Sequence, residues 1–145
     1  MTVALNKSDK ASQILNGALQ EFLAHGYAGT SMDRVAATAG VSKPTVYNHF
    51  QDKEGLFRAL VQKIACERFQ IKFTPETLQE PPAESLPQLL TKMVDAIAED
   101  EDYQDFVRLV IGESGRFPEL ARTFITYLSK PGLELMQAYL NEHPE

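Results

Sequence analysis

Between Lys43 and His49 the chain sets Lys, Pro, Thr, Tyr, Asn and His within seven residues. These are groups that meet phosphate oxygens and base edges. A lysine ammonium can donate to guanine O6 and N7, an asparagine amide can pair with adenine N6 and N7, and a threonine methyl or proline ring can touch a thymine methyl. A tyrosine hydroxyl, a histidine imidazole and the free N–H groups of a helix start suit phosphates. Catalytic patterns find little support. No Gly-rich phosphate loop follows a strand, no His-Glu-x-x-His spacing occurs, and there is no nucleophile elbow, so the chain reads as a non-enzyme. Asp100, Glu101, Asp102 and Asp105 have the composition of a cation site. An acidic run at a helix start is ordinarily a solvated cap favoured by the helix dipole, so neither metal nor cofactor is expected. His25 and His143 stand alone and read as surface residues. Cys66 has no partner cysteine and falls in an apolar helical pattern, which reads as a small buried hydrophobe.

Side chains of this kind need a short, rigid helix to aim them. Apolar residues at Ile14, Leu15, Ala18, Leu19, Phe22 and Leu23 recur with the period of one helix face from Ala11, with Ser8 or Asp9 as cap and Gly26 as stop. Thr30 with Asp33 three places on predicts a reciprocal cap for a second helix that ends at Gly40. Ala39-Gly40-Val41-Ser42 makes a four-residue connection to a third helix, which has Ser42 as cap, Pro44 in its first turn and its end near Phe50. Two capped helices joined by a short Gly-containing turn form a helix-turn-helix. Val35, Ala39, Val41 and Val46 point inward, and Ala36 lets the second helix approach closely. The outward face of the third helix is left to Lys43, Thr45, Tyr47, Asn48 and His49.

Asp52 caps a longer helix that runs to about Lys72, after which four prolines between residues 74 and 88 read as a loop. Apolar stripes then predict helices through Leu86–Ile97, Tyr103–Ile111, Pro118–Leu128 and Gly132–His143, the last set off by Pro131 and Pro144. No segment alternates with period two long enough to be a strand. The chain is read as all-α. Met93, Tyr103, Phe106 and Phe124 are candidates to line a small-molecule pocket, although stripes at helical spacing are as readily plain core.

A formal net charge of -6 opposes contact with a polyanion until it is divided along the chain. Residues 1–72 hold nine Lys and Arg against six Asp and Glu, and residues 73–145 hold five against fourteen. Only the first part is electrostatically suited to nucleic acid. The 43% hydrophobic content supports a buried core, the start lacks a signal-peptide pattern and no run approaches a membrane span. A cytoplasmic protein without membrane contact is expected.

The segment AGVSKPTVYNHFQDKEGLF, from Ala39 to Phe57, resembles the N-terminal domain of the tetracycline-repressor (TetR/AcrR) family, and the likeness extends over about residues 11–65. VRLVIGESGRFPELARTF resembles a stretch in the ligand-binding domains of some members. The resemblance implies a three-helix DNA-binding domain over residues 1–53, joined by a long fourth helix to a helical ligand-binding and dimerisation domain over residues 54–145. It implies base-edge contacts from Lys43, Pro44, Thr45 and Asn48, and phosphate contacts from Thr30, Ser31, Tyr47, His49 and Lys53. The function implied is a transcriptional regulator, most often a repressor, that binds a palindromic operator as a homodimer and responds to a small-molecule effector. Relatives usually continue through two more long helices that pair with a partner, and this chain stops at His143-Pro144-Glu145, about where those begin. The competing reading is a helical module for ligand or protein without operator binding.

Overall fold

The computed structural model describes residues 7–72 and 79–144, and every regular element among them is helical. Helix α1 spans Lys7–His25 and buries Ile14, Leu15, Ala18 and Phe22 along one face. It is already helical at Lys7, so Ser8 and Asp9 lie inside it rather than at its cap. No Gly or Pro interrupts Lys7–Lys10, and nothing local delays the start to Ala11. At its other end Gly26 adopts φ 72°, which favours a residue without Cβ.

Helix α2 covers Met32–Ala39 and α3 covers Lys43–Phe50. The cap of α2 is Ser31, whose hydroxyl accepts from the Arg34 N–H at 3.2 Å. Thr30, expected there, is buried instead and donates its hydroxyl to the Gly26 carbonyl at 2.7 Å. At the far end Gly40 sits at φ 71°, with its own N–H on Ala37 O and that of Val41 on Ala36 O. That pair of bonds satisfies the last carbonyls of α2 and sets the turn into α3. Ser42 caps α3 by accepting from the Thr45 N–H at 3.3 Å.

Helix α4, Lys53–Lys72, begins on Asp52, which accepts from the Gly55 N–H at 2.7 Å. Leu56, Phe57, Leu60, Val61, Ile64 and Ala65 are buried along it. Cys66 is exposed rather than buried. At about 100° per residue it is turned some 200° from Ile64, away from the packed face.

The second half comprises α5 (Pro82–Ala98), α6 (Glu101–Glu113), α7 (Pro118–Phe124), a wide π turn (Ile125–Ser129) and α8 (Lys130–Glu142). Two proline readings need correction. Helix α5 starts within the expected loop, because Pro82 occupies the first turn where no N–H is required. Pro87 then sits inside it at the loss of one backbone bond. Pro131 does not separate two helices either. Helical backbone runs through it, and the Lys130 N–H reaches back five residues to Ile125 O, a widened turn in keeping with the N–H that Pro131 lacks.

One hydrophobic cluster joins α1–α4 to Phe106, Val110, Leu120 and Leu128. Phe57 is its hinge point. Its ring meets Phe22 edge-on at 5.6 Å and stacks on Phe106 at 5.6 Å. Through α4 the helix-turn-helix and the C-terminal helices share a continuous core.

Candidate nucleic-acid interface

Val46 is wholly buried and Phe50 and Val41 pack against the core, so these positions fix the rotation of α3 about its axis. Consequently Lys43, Pro44, Tyr47 and Asn48, spaced i, i+1, i+4 and i+5, share the solvent face. Tyr47 is 46% exposed, a large aromatic ring turned toward solvent. Thr45 is half-buried, and its hydroxyl is 2.7 Å from that of Ser42. Lys43 is held across the two helices by Asp33 of α2, Nζ to Oδ2 at 2.9 Å. Both side chains are more than half exposed, so the pair is a weak restraint.

Of the expected phosphate residues, Ser31 stands exposed at the start of α2 beside Asp33 and Arg34. Thr30 is only 3% exposed and its hydroxyl is committed to Gly26 O, so its side chain does not face solvent. His49 is half-buried beside Phe50, with ring centroids 5.9 Å apart. Its Nδ1 carries the hydrogen donated to Thr45 O at 2.8 Å, and Nε2 is buried without a hydrogen-bond partner. In this arrangement the imidazole braces α3 rather than presenting a donor outward. Lys53 is drawn onto the turn before α2, where its ammonium donates to Tyr27 O at 2.7 Å and lies 4.4 Å from the Tyr27 ring centroid. Burial lowers its pKa, opposed by the nearby Glu113 carboxylate.

The Met and aromatic stripe divides. Phe106 is solid core between Phe57 and Phe124, the latter at 6.4 Å. Tyr103 lines a cleft of about 180 Å³ with Asn16, Leu19, Leu60 and Ile64, where α6 meets α1 and α4. Met93 is half-buried on α5. Asp100 caps α6, accepting from the Tyr103 N–H at 2.8 Å, and Asp105 pairs with Arg108.

Sequence reasoning missed the pieces that brace this surface. Gln13 of α1 donates to Ala39 O at 2.6 Å, tying α1 to the end of α2. Glu113 of α6 accepts the Tyr27 N–H at 2.8 Å across 86 residues. No local periodicity announces such bonds. Arg34, exposed on α2 beside Ser31, was legible only as a basic residue near a helix start.

Two family models cover most of the chain. The model for bacterial regulatory proteins of the tetR family matches residues 14–60, and that for the AefR-like transcriptional repressor C-terminal domain matches residues 84–145. The HTH-type transcriptional repressor AcnR of Corynebacterium diphtheriae is 38% identical over 64 residues, 44% of this chain and 34% of that protein. The HTH-type transcriptional activator FasR of Mycolicibacterium smegmatis is 39% identical over 59 residues, 41% of this chain and 27% of that one. The matched segment thus spans about a third of the length of these curated relatives. The solved structure of a TetR-family protein from Mesorhizobium loti superposes with a TM-score of 0.78 at 30% identity, covering 95% of this chain and 69% of that one. With the helix-turn-helix in place at one end and a matching helical domain at the other, the chain belongs to the TetR family of bacterial regulatory proteins.

Proposed function

We propose that this chain is a transcriptional repressor that inserts α3 into the major groove of an operator. The observation that carries this reading is the fixed rotation of α3. Val46 and Phe50 anchor its inner face, and Pro44, Tyr47 and Asn48 stand exposed on the outer one with Lys43, which is paired to Asp33. Lys43 and Asn48 supply base-edge donors, Pro44 and the Thr45 methyl supply apolar contacts, and Tyr47, Ser31, Arg34 and Lys53 flank them as phosphate ligands. His49 serves this surface by bracing α3.

Two copies acting together account for a palindromic site, with their α3 helices about 34 Å apart, one turn of DNA. Exposed apolar side chains at Leu90, Val94 and Ile97 on α5 and at Leu133 and Leu140 on α8 support an association surface among the C-terminal helices. A small-molecule effector would act by favouring one spacing of the two heads. The cleft at Tyr103 supports a site for it, because its walls come from both halves of the molecule. Selection of bound sequences from a random duplex pool tests the assignment. A two-fold symmetric motif recovered by the wild type and lost with Tyr47→Ala supports it, and recovery of no preferred motif contradicts it.

A further inference from the structure

The Gly26–Thr30 turn is where several independent bonds meet. The Tyr27 N–H donates to Glu113 Oε2 at 2.8 Å, the Tyr27 carbonyl accepts from the Lys53 ammonium at 2.7 Å, and the Gly26 carbonyl accepts the Thr30 hydroxyl at 2.7 Å. The other Glu113 oxygen fills the place a Cβ on Gly26 would take, 2.3 Å from it. Phe22, Phe57 and Phe117 surround the Tyr27 ring at 5.1–5.7 Å, and the ammonium of Lys53 lies over it. The turn therefore touches α1, α4 and α6, and leads directly into Ser31, the cap of α2.

We infer that Glu113 is a positioning residue for DNA binding, holding the Tyr27 backbone so that its carbonyl fixes the Lys53 ammonium beside the start of α2, where both meet the same stretch of DNA backbone. The inference rests on the DNA-binding reading above. The geometry gives it a mechanism. An ammonium has three donors, and the bond to Tyr27 O uses one, leaving two for phosphate oxygens. A long lysine otherwise samples many rotamers, so an anchor on its nitrogen reduces what must be ordered on binding. Glu113 lies on α6 and not on the helix-turn-helix, so any displacement of α6 relieves the anchor at once.

The test is a two-residue cycle on the full chain, read by anisotropy of a fluorescein-labelled random-sequence duplex of about three helical turns across a range of salt concentrations. Lys53→Ala should weaken binding at least about threefold and make the salt slope shallower by about one. Glu113→Ala should produce a loss of the same kind in the wild type and a smaller one in the Lys53→Ala background. Glu113→Gln keeps an oxygen acceptor for the Tyr27 N–H and should retain near-wild-type affinity and slope. Melting followed by circular dichroism identifies any variant that fails to fold, and Glu113→Gln then carries the comparison with amide exchange at Tyr27. An equal loss from Glu113→Ala in both backgrounds, no loss, or tighter binding overturns the inference while leaving the DNA reading intact. Absence of salt-dependent binding by the wild type overturns both.

Discussion

The ammonium of Lys53 sits 2.7 Å from the carbonyl oxygen of Tyr27 and 4.4 Å from the centroid of its ring. A residue at the start of α4 is thereby tied to the turn that precedes α2. Burial raises the Tyr27 phenol pKa to about 12, with Glu119, Glu54 and Asp52 adding smaller upward effects. The folded state holds the phenol neutral above its ordinary value of 10.0, so this stability is complete below about pH 10 and is lost as pH rises through about 12. Urea denaturation across that window should show a fall in wild-type stability that Tyr27→Phe, with no phenol to ionise, lacks in part.

Gly26 carries two demands. A side chain there must adopt φ 72° and must also displace the Glu113 carboxylate. The left-handed conformation alone costs roughly 1–2 kcal/mol for a residue with Cβ. Gly26→Ala should lower stability by at least that amount, measured as a reduced midpoint in denaturant with an unchanged slope.

Phe106 fills the junction between α4 and α6, fully buried and stacked on Phe57. Truncation leaves a cavity in the cluster that, among the described residues, joins both halves. Phe106→Ala should destabilise the protein by about 3–5 kcal/mol. A change smaller than about 1 kcal/mol would mean that the stack is not part of a close-packed core.

Under the proposed function, Asp33 competes with DNA for Lys43. Their exposed pair contributes no more than about 1 kcal/mol, so Asp33→Asn should leave the melting temperature close to wild type. It also removes a negative charge from the surface proposed to face DNA. Affinity for duplex at low salt should rise by about two- to fivefold and converge on wild type as salt increases.

The helix-turn-helix was legible because its signals are local. Ser42, Pro44, Gly40 and Asp52 are caps and turn residues at fixed offsets, and Val35, Ala39 and Val46 carry the helical period. Where several local signals compete, the pattern misleads. Thr30 and Ser31 are both good caps, and the bond from the Thr30 hydroxyl back to Gly26 O, within the same turn, leaves the cap to Ser31. Pro87 and Pro131 read as breaks because their cost is local, whereas the packing of Leu89, Leu128 and Tyr139 that keeps the backbone helical is not. His49 was expected to face DNA from its position near the end of α3. The side-chain bond that turns it onto Thr45 O depends on a rotamer and has no signature in the order of residues. The bond from Glu113 to Tyr27, across 86 residues, is beyond any periodicity.

If the outer face of α3 reads DNA, as proposed, single substitutions on that face change the affinity for a selected operator duplex. Tyr47→Ala and Asn48→Ala should each weaken binding by about tenfold, with Asn48→Ala also relaxing preference at one base pair. Gln62→Ala, at an exposed position on α4, should have no effect. Operator affinity unchanged by both α3 substitutions in folded protein would contradict the account.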